Sequence, residues 1–182
     1  MEEAILAVGR RYFYVSSVIV AALFVATPTL AEVFPAFTLP LPQGETVLEV
    51  HGAIVSVNRD GAAVFDMAML KALPMVQLET STAVTDGVRR FEGFLMRDLL
   101  ALVGASGATV TATALNDYVM EFAGAEFEEF DVVVAYAMDG EMLLASDKGP
   151  LWIVYPRDQH RELQDIRYDY RWVWQLNRLD IE

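Results

Sequence analysis

The side chains best suited to chemistry are concentrated in residues 148–178, KGPLWIVYPRDQHRELQDIRYDYRWVWQLNR. This stretch holds all three tryptophans, Trp152, Trp172 and Trp174, together with Lys148, Arg157, Arg161, Arg167, Arg171 and Arg178. Flat rings stack on aromatic faces and an Arg fork binds oxygens in pairs, so the mixture suits a planar, partly anionic small molecule. The same tryptophans equally suit a core, and composition alone does not separate the two uses. A second group, Thr80, Ser81 and Thr82, stands at the end of an apolar run, where hydroxyls serve either as turn chemistry or as donors to the oxygens of a ligand. His51 and His160 stand singly, without the spacing of a metal pair. There is no Ser-His-Asp order and no glycine loop of the kind that cradles phosphate.

Composition narrows the chemistry further. The chain has 182 residues, 54% of them hydrophobic, which is one ordinary domain with an N-terminal extra. Its net charge of −13 argues against nucleic acid and against anionic membrane surfaces, since both need cationic fields. The cations are local: within residues 148–182 the six just named are matched by Asp158, Glu162, Asp165, Asp169, Asp180 and Glu182, whereas acids dominate upstream. There is no cysteine, which excludes disulfides, thiolate metal sites and thiol nucleophiles together.

Residues 1–31 have the layout of a secretory signal peptide. Arg10-Arg11 precedes an apolar run over 15–26, and the small-x-small tripeptide Thr29-Leu30-Ala31 marks cleavage after Ala31. The run is shorter than the roughly 20 residues that cross a bilayer. The chain is therefore expected to be exported. Residues 32–46, with Pro35, Pro40 and Pro42, are expected to run extended over the surface, and 47–182 to form the domain.

Within that domain, alternation predicts a strand over 47–58, ended by the turn Asn58-Arg59-Asp60-Gly61. Asp66 is placed to cap a short helix over 67–73 that Pro74 stops. A buried strand is expected over 75–78. Leucines at helical spacing predict a helix over 96–103 with Gly104 as its stop. A half-buried strand over 109–115 turns at Asn116-Asp117 into 118–122. The apolar run 131–138 reads as a strand covered on both faces, turned by Asp139-Gly140 into 141–145. A strand over 151–155 and a late helical crossing complete an α+β domain, a mixed sheet with short helices.

Taken in order, Phe91-Glu92-Gly93 before Leu99-Leu100, then Asn116-Asp117-Tyr118, Asp139-Gly140, Gly149-Pro150-Leu151-Trp152 and Tyr155-Pro156 resemble the oxidoreductase molybdopterin-binding domain of the sulfite-oxidase type. The resemblance covers about residues 47–181, and residues 171–176 (RWVWQL) are similar to a short exported branch. It implies a sulfite-oxidase-like fold. In the catalytic branch a cysteine after a buried strand binds molybdenum. The matching loop here, residues 79–85, offers only threonines and a serine, and a hydroxyl does not replace a thiolate that tunes a redox metal. The chain thus looks like the cysteine-less periplasmic pterin-binding regulators of the PruR type, which hold a reduced, non-metallated pterin and report it to a membrane sensor that controls cyclic di-GMP.

That resemblance implies a non-catalytic protein. Its expected ligand is a reduced pterin in preference to molybdopterin, and its expected partner the periplasmic part of an inner-membrane sensor. It also suggests roles. Asn116 or Asp117 would accept from the amino-amide edge, Tyr118 or Trp172 would supply a stacking face, and Thr80 or Thr82 would meet the ring oxygen. Lys148, Arg161 and Arg171 would suit a phosphate, were one present. The alternative use of Asp117 is as a turn former, and of Arg161, Glu162, Asp158 and Asp165 as a solvated helix face.

Overall fold

The structure is a computed structural model that describes residues 38–182; the expected signal peptide lies outside them. Two sheets share one continuous core. The first is built from β1 (Thr46–Gly52), β2 (Ala63–Asp66), β5 (Thr109–Ala114), β6 (Val119–Ala123) and β10 (Leu176–Ile181), in the order β2-β1-β10-β5-β6. The second contains β3 (Val76–Ser81), β4 (Val88–Leu95), β7 (Val133–Met138), β8 (Glu141–Met142) and β9 (Trp152–Val154). In it β3 pairs β4, β4 pairs β7, and the other edge of β7 is shared by β8 and β9. Helices α1 (Met67–Lys71), α2 (Met96–Val103), α3 (Glu126–Glu129) and α4 (Ile166–Asp169) are short, and Arg161–Gln164 forms one 3-10 turn.

Several elements follow directly from local chemistry. Asp66 caps α1, its Oδ1 accepting from the Met69 N–H at 2.9 Å. Its Oδ2 accepts from the Gln43 and Gly44 N–H groups, and these backbone donors, with that of Met69 foremost, hold its carboxyl below the usual carboxylate range. Helix α2 buries Met96, Leu99 and Val103 on one face and ends at Gly104. It has no side-chain cap, but the Val132 carbonyl accepts from the Met96 N–H at its start. Strand β5 alternates as expected, with Val110, Ala112 and Ala114 inward, and β7 is buried at five successive positions. The turns at Asp60-Gly61 and Asp139-Gly140 have positive φ at both residues, the primed geometry that favours hairpins.

Other expectations are corrected. The strand expected over 47–58 stops at Gly52, whose φ is 90° and where an added Cβ would lie 2.1 Å from the Ile181 carbonyl oxygen. Beyond that bend the Val55 and Ser56 N–H groups bond the Val103 carbonyl, and the Val55 and Val57 side chains are exposed, so their alternation carries no burial. The strand expected over 75–78 runs instead from Val76 to Ser81 and is buried on one face only, with Met75 exposed. Strand β8 is two exposed residues rather than 141–145. Leu39, in the segment expected to run over the surface, is buried in the core. Strands β2, β4 and β10 have no counterpart among the expected elements.

The tryptophans settle into the interior. Trp152 and Trp172 are buried and Trp174 packs against the core. Trp152 meets the edge of Phe91 at 5.3 Å, and Trp172 and Trp174 each at 6.5 Å between ring centroids. Such edge-on pairs add specificity to the burial of large rings.

Candidate ligand-binding site

At the open end of β3, the hydroxyls and the basic segment meet. The Ser81 N–H and hydroxyl both donate to the Asp158 carboxylate, each at 2.6 Å, and the Asp158 N–H donates to Thr80 Oγ1. Asp158 thus lies against the strand end rather than on a solvated helix face. Arg157 donates to Ser81 Oγ at 3.3 Å, and its Nε stands 4.0 Å from Asp169 Oδ1. Both of those atoms are buried without a hydrogen-bond partner. Thr82 Oγ1 accepts from the Val84 and Thr85 N–H groups and shares a bond with the Thr85 hydroxyl at 2.8 Å. The hydroxyls of this loop are therefore spent on the turn.

A second assembly lies on α3. Arg171 donates through Nη1 to both oxygens of Glu126, at 2.6 and 2.5 Å, and its guanidinium sits over the rings of Phe122 and Tyr168 at 5.7 and 5.3 Å. The Tyr155 hydroxyl donates to the same carboxylate at 3.1 Å. Burial, with the Glu126 charge next to it, pushes the Tyr155 phenol far above its ordinary value. Trp172 stands at the edge of Tyr155, 6.3 Å away, its indole N–H unpartnered. Tyr118 reaches this side as well, its hydroxyl donating to the Tyr170 carbonyl at 2.7 Å.

The remaining expected residues fall around a third feature. Asn116 and Asp117 form the exposed β5-β6 turn, where Asn116 Oδ1 accepts from the Tyr118 N–H and Asp117 takes a φ of 62°. Lys148 pairs with Asp147 at 2.8 Å, 6.0 Å over the Trp152 ring. Next to these two segments opens a cavity of about 530 Å³, lined by Glu45, Thr46, Val47, Glu49, Leu115, Ala145, Pro150, Asn177 and Arg178. Arg161 stands apart on the exposed 3-10 turn. The residues suggested by the sequence thus fall in four places: Thr80 and Thr82 at the strand end, Arg171, Trp172 and Tyr118 around the Glu126 side, Asn116, Asp117 and Lys148 next to the cavity, and Arg161 by itself.

Next to the cavity stands Gln175, which has a φ of 55°. Its N–H donates to the Lys148 carbonyl, its side-chain amide to the Ala145 carbonyl, and its own carbonyl accepts from the Leu115 N–H. One residue therefore ties together the segments that form the walls. The floor is the outer face of β1 and β10, which pair in parallel with Glu49 opposite Arg178 and His51 opposite Asp180. His51 lies 3.0 Å from Glu49, a structural contact of the kind expected for a lone strand histidine.

A separate cavity of about 520 Å³, almost wholly apolar, lies between Leu39, Pro40, Leu41 and helix α1, with Leu102 at its back. Among the described residues no group of three or more His, Asp or Glu could hold a metal ion.

No protein-family model matches the sequence, and no curated protein matches it. Among solved structures, the sulfane dehydrogenase SoxCD from Paracoccus pantotrophus is similar at a TM-score of 0.55 and 19% identity, over 74% of this chain and 37% of that one. The chain thus spans little more than a third of the length of its structural neighbour. At this identity the likeness is one of fold, and it supports the fold that the ordered motifs imply, although the strands form two sheets where a single mixed sheet was expected.

Proposed function

We propose that this chain is a non-catalytic, periplasmic pterin-binding protein of the PruR type, which reports a reduced pterin to the periplasmic part of an inner-membrane sensor controlling cyclic di-GMP signalling. The observation that carries the reading is the loop after β3. The fold is similar to that of a solved sulfane dehydrogenase, and the loop that the resemblance matches to the thiolate position of the catalytic branch holds Thr82 and Thr85, whose hydroxyls bond each other while Thr82 Oγ1 accepts from the loop's own backbone. With no cysteine in the chain, the donor set does not fit a thiolate-held molybdenum.

A metal-free pterin makes lighter demands, namely a shaped slot and polar groups for its amino-amide edge. The seam cavity has a volume within the roughly 300–1,000 Å³ typical of small-molecule sites. It carries carboxylates and an amide among apolar walls, and it adjoins Asn116, Asp117 and Lys148. Its residues fit such a molecule.

The test uses protein purified from its native source, denatured and then oxidised, with the supernatant read for pterin fluorescence beside a metal analysis. About one pterin per chain without molybdenum is the expected result. Stoichiometric, tightly held molybdenum with turnover of an oxidisable substrate would overturn the reading.

A further inference from the structure

The edges of the two sheets are not closed alike. At β2 the Asn58 side chain stands in for a neighbouring strand, its Oδ1 accepting from the Val64 N–H and its amide donating to the Val64 carbonyl, each at 2.8 Å. At β3 the Asp158 carboxylate takes the outward N–H of Ser81. Beyond β9 the chain returns, so that the Ile153 N–H donates to the Val173 carbonyl and Trp152 bridges Trp174. Strand β6 ends the first sheet, and no group among the described residues bonds its outer edge.

The register shows what that edge presents. β6 pairs β5 without a slip from Val119 to Ala123, and the Tyr118 carbonyl and Gly124 N–H bond the β5 side at either end. In an antiparallel pair alternate residues face the partner, so Met120 and Phe122 turn their backbone groups to β5, whereas Val119, Glu121 and Ala123 direct theirs outward. The same three side chains lie exposed on one face of the sheet. The strand has no Pro, no Lys and no bulge, the usual devices that blunt an edge. Its one charge is Glu121.

That charge selects the occupant. In the longest antiparallel pairing of two copies of this edge, Glu121 falls opposite Glu121, and like charges so placed are destabilising. The surroundings repeat the sign, since residues 116–131 contain acids and no Lys, Arg or His. Arg171 and Arg97 engage Glu126 and Asp131, while Asp117, Glu121, Glu128 and Glu129 are exposed and make no ion pair among the described residues. Helix α3, which carries two of them, packs on β6 through Phe127 against Phe122 at 5.4 Å. A cationic strand relieves this repulsion, and a second copy adds to it.

We infer that the free edge of β6 receives an extended segment of a partner protein as an added strand, with a Lys or Arg of that segment opposite Glu121 and an apolar side chain opposite the exposed Val119. Main-chain hydrogen bonds to Val119, Glu121 and Ala123 hold the segment, and the cation fixes its register. The inference is independent of the pterin reading.

The probe is a fluorescein-labelled peptide of alternating Val and Lys, titrated with the purified mature protein and followed by fluorescence anisotropy. Two control peptides accompany it. One carries Glu in place of Lys; the other keeps the sequence but has its peptide nitrogens methylated, which preserves the charge and removes strand pairing. The titration is repeated on Ala123→Pro, which deletes one outward N–H where an edge strand tolerates proline, and on Glu121→Lys, with melting curves and circular dichroism verifying the fold. Binding of the Val-Lys peptide is expected to weaken about 10-fold or more in each variant, and both control peptides to bind the unaltered protein more weakly by as much. A methylated peptide that binds as well as the unmethylated one marks charge attraction alone and overturns the inference. So does binding that either folded variant leaves unchanged, or no binding of the Val-Lys peptide at all. Sedimentation of the protein alone as a dimer that Ala123→Pro dissociates assigns the edge to a second copy and also overturns it. If Ala123→Pro does not fold, Glu121→Lys and the methylated peptide decide the matter.

Discussion

Replacing Glu126 by Ala tests the assembly on which the late basic segment closes. The carboxylate accepts from Arg171 twice and from the Tyr155 hydroxyl once. Tyr155 is fully buried, and without Glu126 its hydroxyl is left unsatisfied, which costs about 1–3 kcal/mol. The Arg171 side chain keeps 26% of its surface, so water replaces much of the lost pairing and that share is only about 0.5–1 kcal/mol. Together the substitution is expected to cost about 1.5–4 kcal/mol. Urea unfolding is the assay, followed by tryptophan fluorescence, since Trp172 lies beside the cluster, and by far-ultraviolet circular dichroism. With a slope of about 2 kcal/mol/M the midpoint should fall by about 1–2 M without a change in slope. In a Tyr155→Phe background the same substitution should cost only the arginine share, about 1 kcal/mol or less. A loss below about 0.5 kcal/mol in the parent, or an equal loss in both backgrounds, would refute the idea that the buried hydroxyl dominates.

Three further outcomes are expected. Because the Tyr155 phenol is raised in the folded state, stability is intact below the ordinary phenol value of about 10 and falls as pH rises past it; Tyr155→Phe should flatten that alkaline fall in melting temperatures taken between neutral and strongly basic pH. The hydrogen bond from Arg178 holds the Asp180 carboxyl below its usual range, so its contribution is present above about 3.9 and lost on further acidification. Asp180→Asn should therefore shrink the acid loss of stability, and an unchanged acid limb would count against the pairing. Gly93→Ala would set a Cβ 2.1 Å from the Val134 carbonyl oxygen in the neighbouring strand, so soluble expression is expected to collapse, and a well-folded variant would contradict the packing of β4 on β7.

Features governed by neighbours in sequence are legible in the sequence itself. The Asp66 cap, the leucine face of α2, the Asn116-Asp117 turn and the apolar run of β7 each depend on residues a few positions apart. Strand β10 was not legible because its bulge puts Leu176 and Leu179 three apart, which reads as neither strand nor helix. The alternation of Val55 and Val57 misled for the opposite reason: Gly52 bends the chain away before the pattern can be used.

The cavity was hidden more deeply. Glu49 looks like the polar face of any half-buried strand, and only the parallel pairing with β10 sets it opposite Arg178. Asn116, Asp117 and Lys148, which the resemblance singles out, lie next to residues that line it, whereas nothing in the sequence marks its floor. Glu126 gave no signal either, since its partners Tyr155 and Arg171 lie far along the chain.

The placement of β10 bears on how the protein comes into being. This strand joins β1 to β5, yet it is the last of the described strands to leave the ribosome. Until residues 176–181 have emerged, the first sheet exists only as two separate hairpins, β1-β2 and β5-β6, with unpaired edges. A nascent chain held short of that point has no complete body to fold. Such a chain leaves the edges of both hairpins open to handling by chaperones until residues 176–181 join them.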